Sequence, residues 1–322
     1  MLSWCAVLVV LLTVAGVGET KVVGAFVLPH GGIALNPSHF HSSSRLDEQH
    51  AWTLHRSAVE VGRAIRELEP DLLLLSTPHG VADLDRYAFY LNTRANGSAD
   101  TDNCQCPPCC YDAAVNVDVN ATGRLLRSLE EAGSPVTGLS FFGPIGNDQS
   151  PAPLKWGEVV PLTFVKDVET IKVVLLSQPS KRYAHVVTMI PELLRLGKGL
   201  YDYLEPLDQK VVVLVSADLA HTHKADGPYG FSPAAAPFDL NCGNWAASLH
   251  PDYLLHQAAK YADDAKSCGY SGLVMLHGLL KAARLGSWTP VLMANFHPSY
   301  YGMMVASFMR RDIQRPLETP PV

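Results

Sequence analysis

Three histidines each follow an apolar run of the chain. Val22 to Leu28 precedes Pro29-His30-Gly31-Gly32, Leu72 to Leu75 precedes Ser76-Thr77-Pro78-His79-Gly80, and Val211 to Val215 precedes Ser216-Ala217-Asp218-Leu219-Ala220-His221. A neutral imidazole nitrogen binds metal, and two histidines with one anionic ligand form the non-haem Fe(II) site that keeps open positions. We therefore predict that His30 and His79 hold a redox-active metal with His221 beside it. His223, two positions later, shares a face with His221 in a continued strand and is the alternative.

The apolar runs are typical of strands buried on both faces. Between the first two, residues 49–69 show the three- and four-residue apolar spacing of an amphipathic helix, which Pro70 ends. A strand-helix-strand unit makes its strands parallel, so both histidines emerge at the edge where α/β sheets bind ligands. Glycine after each histidine leaves space and permits unusual backbone angles.

Further elements complete a predicted single α/β domain over residues 21–312, with helices flanking its sheet. Predicted helices are Pro191 to Leu204, Pro251 to Asp264 and Ser271 to Arg284, and predicted late strands are Val291 to Ala294 and Met303 to Phe308. The 322 residues are 48% hydrophobic and 17% charged with net charge -6, which indicates a globular protein. No basic run predicts nucleic-acid binding, and no G-x-S-x-G or glycine-rich phosphate loop predicts a hydrolase or nucleotide site.

The two ends of the chain are set apart. Residues 1–20 contain an apolar run followed by small residues, which predicts a signal peptide, with a buried first strand as the alternative. Asn96 and Asn120 begin glycosylation triplets. We expect a secreted or endomembrane-lumen protein, or alternatively a cytoplasmic one. Residues 313–322 form a tail, and no stretch after the leader is predicted to span a membrane.

Four cysteines lie close together in the segment 92–111, which is rich in Asn, Asp and Pro and is predicted to be an excursion from the domain. They are Cys104, Cys106, Cys109 and Cys110. Such spacing favours a disulfide-stapled loop in an oxidising compartment. A small zinc site is the alternative, disfavoured because no second Cys or His pair follows at finger spacing.

Taken together, these segments resemble the class III extradiol ring-cleavage dioxygenases of the LigB type, from about Val22 to Arg310. The resemblance rests on the three histidine segments and on Trp156-Gly157-Glu158-Val159-Val160-Pro161-Leu162, Asp226 to Phe231, Phe238-Asp239, His297-Pro298 and Tyr301 to Met303. It implies one α/β domain with a mixed, mostly parallel sheet, and cleavage of a catechol-like diol with O₂ at Fe(II). It also implies that His30 and His79 are iron ligands and His221 is the acid/base.

The region that should supply the third ligand departs from the family pattern. The family usually has a glutamate there, whereas this chain has Asp263 to Tyr270, without one. Cys268 is the preferred ligand because the related Memo proteins place a cysteine here; Asp263, Asp264 or no third ligand are the alternatives. A thiolate favours softer metals, so Cu or Zn could replace Fe(II). Cys268 could instead be disulfide-bonded to Cys242 or be a buried small hydrophobe.

Trp156 stands where ring-cleaving relatives often have a histidine. Tryptophan cannot accept a proton but can stack on an aromatic ring, so Trp156 is predicted to contact substrate. Tyr229 and Asp239 are predicted to line the pocket or to support the metal ligands, and Tyr229 is the second candidate for substrate binding. Two other functions remain: a Memo-like copper- or iron-binding redox protein without ring cleavage, and a secreted binding protein with a degenerate site. The oligomeric state, including a homo-oligomer, is left open.

Overall fold

The structure is a computed structural model that describes residues 21–146 and 148–313. The predicted signal peptide and residues 314–322 of the predicted tail lie outside this part of the chain. Within it, eleven strands form one sheet: β1 Val22–Leu28, β2 Leu72–Thr77, β3 Tyr87–Tyr90, β4 Arg94–Ala99, β5 Tyr111–Val117, β6 Val136–Leu139, β7 Ala152–Pro153, β8 Lys172–Ser177, β9 Val211–Ser216, β10 Trp288–Phe296 and β11 Met303–Arg310. The α-helices are α1 Arg45–Glu67, α2 Val119–Glu131, α3 Trp156–Thr163, α4 Arg182–His185, α5 Ile190–Leu204, α6 Ala235–Ser248, α7 Ala262–Ala265 and α8 Tyr270–Ala282. Short 3₁₀ segments cover Gly32–Ala34, Pro37–His39, Val168–Thr170, Ala258–Lys260 and Leu285–Ser287, and Tyr253–Gln257 is a π-helix.

The sheet is mixed, with a parallel centre. Its main order is β10-β11-β1-β9-β2-β8-β5-β4-β7; β3 also pairs with β8, and β6 pairs with β3. Strand β9 pairs in parallel with both β1 and β2, while β10 and β11 form an antiparallel edge. The three strands that precede the histidines are therefore neighbours with their carboxyl ends at one edge. The predicted α/β class and the single mixed sheet are confirmed.

Burial on both faces explains the continuous apolar runs of these central strands. Successive residues of β9 enter two different cores: Val213 and Val215 face one, and Val212 and Leu214 face the other. Helices α2, α5, α6 and α8 cover the first core, and α1 and α3 cover the second. Every residue of β1, β2 and β9 is buried, which holds the histidines on a rigid support.

Two predicted helices differ from the structure. Helix α1 begins at Arg45, earlier than predicted, because the Ser44 hydroxyl accepts a hydrogen bond from the Asp47 backbone amide. The continuous helix predicted for residues 251–264 is wrong, since this segment is divided into π, 3₁₀ and α turns. Buried apolar residues still recur every three or four positions there: Leu254, Ala258, Ala262 and Ala265. Their spacing predicts the buried face but not the changes in helical pitch.

The segment 92–111 is partly a strand, which the prediction of an excursion missed. Strand β4 pairs with β5, and β5 pairs in parallel with β8, so this hairpin extends the main sheet. The loop between β4 and β5 carries two disulfides, Cys104–Cys109 and Cys106–Cys110. The predicted stapled loop is confirmed. Among the helices within 21–146 and 148–313, none is long and apolar enough to cross a membrane.

Candidate metal centre

Side chains from three separate parts of the chain meet at this edge of the sheet. One ligand atom each of His30, His79 and Cys268 lies within 4.8 Å of the others. His30 follows β1, His79 follows β2 and Cys268 precedes α8. The Cys268 Sγ is 3.2 Å from His30 Nε2, and the two imidazole rings are 4.7 Å apart. Two imidazoles and one thiol form a donor set that fits a transition-metal ion.

Hydrogen bonding fixes the tautomer of His30. The Ser216 hydroxyl donates to the Gly157 carbonyl at 2.5 Å, so it accepts a hydrogen bond from His30 Nδ1–H at 2.9 Å. Nε2 then carries the lone pair that can bind a metal, and a partner on the second ring nitrogen is typical of metal-binding histidines. Burial lowers the pKa of His30 well below its ordinary value and that of His79 to about 3. Both rings are therefore neutral at pH 7, as metal binding requires.

Burial distinguishes the alternative residues for the third ligand. Cys268 is buried, whereas Asp263 and Asp264 are exposed and lie outside the group of converging ligand atoms. The predicted alternative of a Cys242–Cys268 disulfide is wrong, because both thiols are free. Burial raises the pKa of the Cys268 thiol. A bound cation would offset that cost by displacing the thiol proton.

The two candidate acid/base histidines have different surroundings. The Nε2 atom of His221 is 3.7 Å from Cys268 Sγ, and its ring stacks on Tyr229 with centroids 5.7 Å apart. Burial lowers the pKa of His221 to about 4, so the ring is a neutral acceptor at pH 7. His223 instead contacts Asp239 Oδ2 at 2.7 Å through Nε2 and stacks on His297 at 3.9 Å. His221, and not His223, lines the cavity described next.

A cavity of about 280 Å³ opens onto His30 and His79. Its lining includes these two candidate ligands and His221, the aromatic residues Trp156, Tyr229, Tyr300 and Tyr301, and the acids Asp100, Asp102 and Asp218. Trp156 and Tyr229 are 48% and 58% exposed, which places them at its mouth. The ring of Trp156 is 4.9 Å from that of His79. The cavity thus presents aromatic surfaces directly beside the candidate ligands.

Asp218 is a site residue that the sequence reasoning missed. Its Oδ1 accepts the His30 backbone N–H at 3.0 Å, and its Oδ2 is 3.3 Å from His30 Nε2. Burial raises the pKa of this carboxyl to about 7. Its place in the same strand-end segment as His221 could have marked Asp218 as a candidate. That place alone does not show that the carboxylate contacts the residue that follows β1.

Comparisons with known proteins decide the family. The profile of the catalytic LigB subunit of aromatic ring-opening dioxygenase matches residues 24–306. The chain belongs to the LigB family. It is 23% identical over 262 residues to Protein CA_C1420 of Clostridium acetobutylicum, covering 81% of this chain and 52% of that protein. The chain thus spans about half the length of this curated relative. A crystal structure of the uncharacterized protein JW3007 from Escherichia coli K12 is similar, with TM-score 0.49 and 15% identity over 88% of this chain and 99% of that one.

Lack of space beside the backbone explains the glycine that follows each of the candidate ligand histidines. A Cβ on Gly31 would lie 2.1 Å from the Tyr301 ring, and one on Gly80 would lie 2.6 Å from the Tyr90 hydroxyl. Gly31 has φ of -68°, and Gly80 is not among the positive-φ residues. The expectation of unusual backbone angles is therefore wrong, and lack of space is the reason for glycine.

We predict that Gly31→Ala lowers the free energy of unfolding by about 1 to 3 kcal/mol, since the added methyl overpacks Tyr301. Chemical denaturation measures this loss. Gly123→Ala in α2 is the matched control, because its Cβ would have no neighbour closer than 4.0 Å. That control should be neutral or gain about 0.5 to 1 kcal/mol from helix propensity. Equal effects in the two variants would contradict the steric explanation.

A buried glutamate fixes the start of α3 beside the ligand segments. Glu158 accepts hydrogen bonds from the Lys155 backbone amide at 3.0 Å and the Tyr90 hydroxyl at 2.8 Å. Burial raises the pKa of Glu158 from 4.5 to about 7. The folded state therefore retains this proton more strongly than the unfolded state does.

This raised pKa gives a signed prediction for stability. The raised pKa of Glu158 stabilises the folded state fully below about pH 4.5, and this stabilisation is lost as the pH rises through about 7. Glu158→Gln has no such titration, so its free energy of unfolding relative to wild type should rise by about 1 to 3 kcal/mol between pH 5 and pH 8. Denaturant titrations across this range measure the difference. Glu130→Gln, an exposed change in α2, is the control, and a flat difference for Glu158→Gln would refute the prediction.

Proposed function

We propose that the chain is a non-haem, Fe(II)-dependent extradiol-type dioxygenase that opens the ring of a catechol-like diol with O₂. The observation that carries this proposal is the convergence of His30, His79 and Cys268 beside an aromatic-lined cavity. Membership of the LigB family supports the reaction class. Two histidines and one anionic ligand leave coordination positions free for substrate and O₂.

The donor set fits a mononuclear metal ion. His30 would bind through Nε2, since its Nδ1–H is held by Ser216, and Cys268 would bind through Sγ. When bound, iron supplies redox chemistry and positions at which the diol and O₂ meet. Fe(II) is the proposed ion, with Cu or Zn as alternatives.

The protein's own groups orient the substrate and move its proton. His221 lines the cavity as a neutral imidazole, so it can accept the proton of a catechol hydroxyl and return it later. Trp156 and Tyr229 at the mouth present ring faces on which an aromatic substrate can stack. Asp218 holds the His30 backbone in place through its hydrogen bond.

Oxygen consumption tests the proposal. Protein purified anaerobically and loaded with Fe(II) is mixed with a panel of catechols in an oxygen electrode, with absorbance followed in parallel. The expected result is oxygen uptake coupled to a coloured ring-opened product, both strongly reduced in His221→Gln. Absence of uptake above that variant, with iron bound, would reject ring cleavage.

A second candidate function is favoured by the sulfur donor. Cys268 lies in the region where the similar Memo proteins place a cysteine, and thiolate ligands favour softer metals such as Cu(I). In this alternative the chain is a Memo-like redox protein without ring cleavage. Oxygen uptake that yields quinone but no ring-opened product would favour it. A protein that binds no metal would support a degenerate binding protein.

We also propose that the chain folds in an oxidising compartment. The two disulfides support this, as does the exposure of Asn96 and Asn120. Protein expressed through a secretory pathway should lose mass on endoglycosidase treatment. An unchanged mass would contradict glycosylation at both sites.

A further inference from the structure

A second group of metal-ligand atoms lies in the stapled loop, which we define as residues 100–110 between β4 and β5. One ligand atom each of His39, Cys104 and Cys109 lies within 4.8 Å of the others, and all three residues are half-buried. The group shares no residue with the candidate metal centre. His39 comes from a part of the chain far from the loop. The spacing of the cysteines alone, which disfavours a zinc site, does not predict it as a ligand.

The orientation of His39 suits metal binding. Its Nδ1 is 2.8 Å from the Thr101 hydroxyl, which itself donates to the Cys104 carbonyl at 3.5 Å. The hydroxyl therefore accepts Nδ1–H, and the Nε2 lone pair lies on the side of Cys109, with Sγ 3.9 Å away. His30 shows the same arrangement, with Nδ1–H bound to Ser216 and Nε2 beside a sulfur. Such support on the second nitrogen is a general feature of metal-binding histidines.

The disulfide determines whether this group can bind a metal. Cys104 and Cys109 are bonded to each other, so neither sulfur is a thiolate. Metal binding by cysteine needs the thiolate. Among d¹⁰ ions, Zn²⁺ takes Cys and His together in tetrahedral sites.

We propose that the reduced stapled loop is a zinc-type metal site formed by Cys104, Cys109 and His39. A dithiol reductant gives two electrons and two protons to the Cys104–Cys109 bond, which breaks, and the reductant becomes a disulfide. Zn²⁺ then displaces the two thiol protons to solvent, and two Zn–S bonds and one Zn–N bond form without change of metal oxidation state. The fourth position is taken by water, or by a Cys106 or Cys110 thiol once a second equivalent of the dithiol has reduced that disulfide in the same way.

Cobalt serves as the spectroscopic probe for this site. The full-length protein is reduced with dithiothreitol, desalted anaerobically and titrated with Co²⁺, with untreated protein titrated in parallel. Cys242 and Cys268 are free thiols in both forms, so the difference between the two titrations reports the loop. We expect the reduced form to bind one additional Co²⁺, with a thiolate charge-transfer band and tetrahedral visible bands that Zn²⁺ abolishes.

Variants assign the ligands. Cys109→Ser should remove the additional band. His39→Ala should weaken the additional Co²⁺ binding by at least about tenfold, because changing a residue that only hydrogen-bonds to a metal ligand already costs about that much affinity. His41→Ala is the matched control, since His41 is an exposed histidine two positions away. The proposal is overturned if reduced and oxidised proteins bind the same number of Co²⁺ ions. It is also overturned if His39→Ala titrates like wild type.

Discussion

His79→Ala is expected to lower the affinity for Fe(II) by at least about 100-fold. This is more than the loss typical of changing a residue that only hydrogen-bonds to a metal ligand. The reason is that His79, at the end of β2, supplies one of the three converging candidate ligand atoms. Equilibrium dialysis with elemental analysis measures the loss. His185→Ala, an exposed change in α4, should retain full occupancy. Wild-type occupancy in His79→Ala would contradict the assignment of the centre.

The third ligand is tested by a pair of variants in the same segment. Cys268→Ser should weaken metal binding and remove any sulfur contribution from the X-ray absorption spectrum of the loaded protein. Asp263→Asn should change neither, because the Asp263 carboxylate is exposed and lies outside the ligand group. The reverse pattern would transfer the ligand role to the aspartate.

His221→Gln is expected to reduce kcat by about 10² to 10⁴ while iron occupancy stays at the wild-type level. His221 lines the cavity and is neutral at pH 7, so its proposed role is to accept and return a substrate proton, which glutamine cannot do. Steady-state oxygen uptake and iron content, measured on the same preparation, separate this effect from metal loss. A variant with wild-type kcat would rule out this role.

His223→Gln is the matched control for that experiment. Because His223 contacts Asp239 and stacks on His297 away from the cavity lining, its loss should lower the free energy of unfolding by about 1 to 3 kcal/mol. Turnover of the folded variant should persist. If His223→Gln, and not His221→Gln, abolishes turnover, the two roles are exchanged.

The sequence predicts the histidine pair of the centre because strand periodicity and chain direction constrain it. Continuous apolar runs indicate buried parallel strands, and parallel strands place His30 and His79 at one edge. Cys268 lies in the turn between α7 and α8, after Lys266 with its left-handed backbone, and its contact with His30 spans 238 positions of the chain. Local periodicity does not predict a contact across that separation.

Two site contacts that the sequence does not predict join segments far apart in the chain. Asp218 reaches the backbone of His30, which is 188 positions away, and His39 approaches Cys109 across 70 positions. Neither contact follows from residue spacing, because both arise only after β1, β9 and the β4–β5 hairpin have assembled. Asp218 shares a segment with His221, so the sequence offers a reason to consider it. No sequence pattern near His39 predicts its contact with the stapled loop.

Isotope incorporation tests the central proposal most directly. The Fe(II)-loaded protein is incubated with a catechol that supports oxygen uptake under ¹⁸O₂, and the product is analysed by mass spectrometry. Ring opening by a dioxygenase predicts that both oxygen atoms of one ¹⁸O₂ molecule enter the ring-opened product. A quinone product without label, formed while O₂ is reduced to peroxide or water, would contradict it.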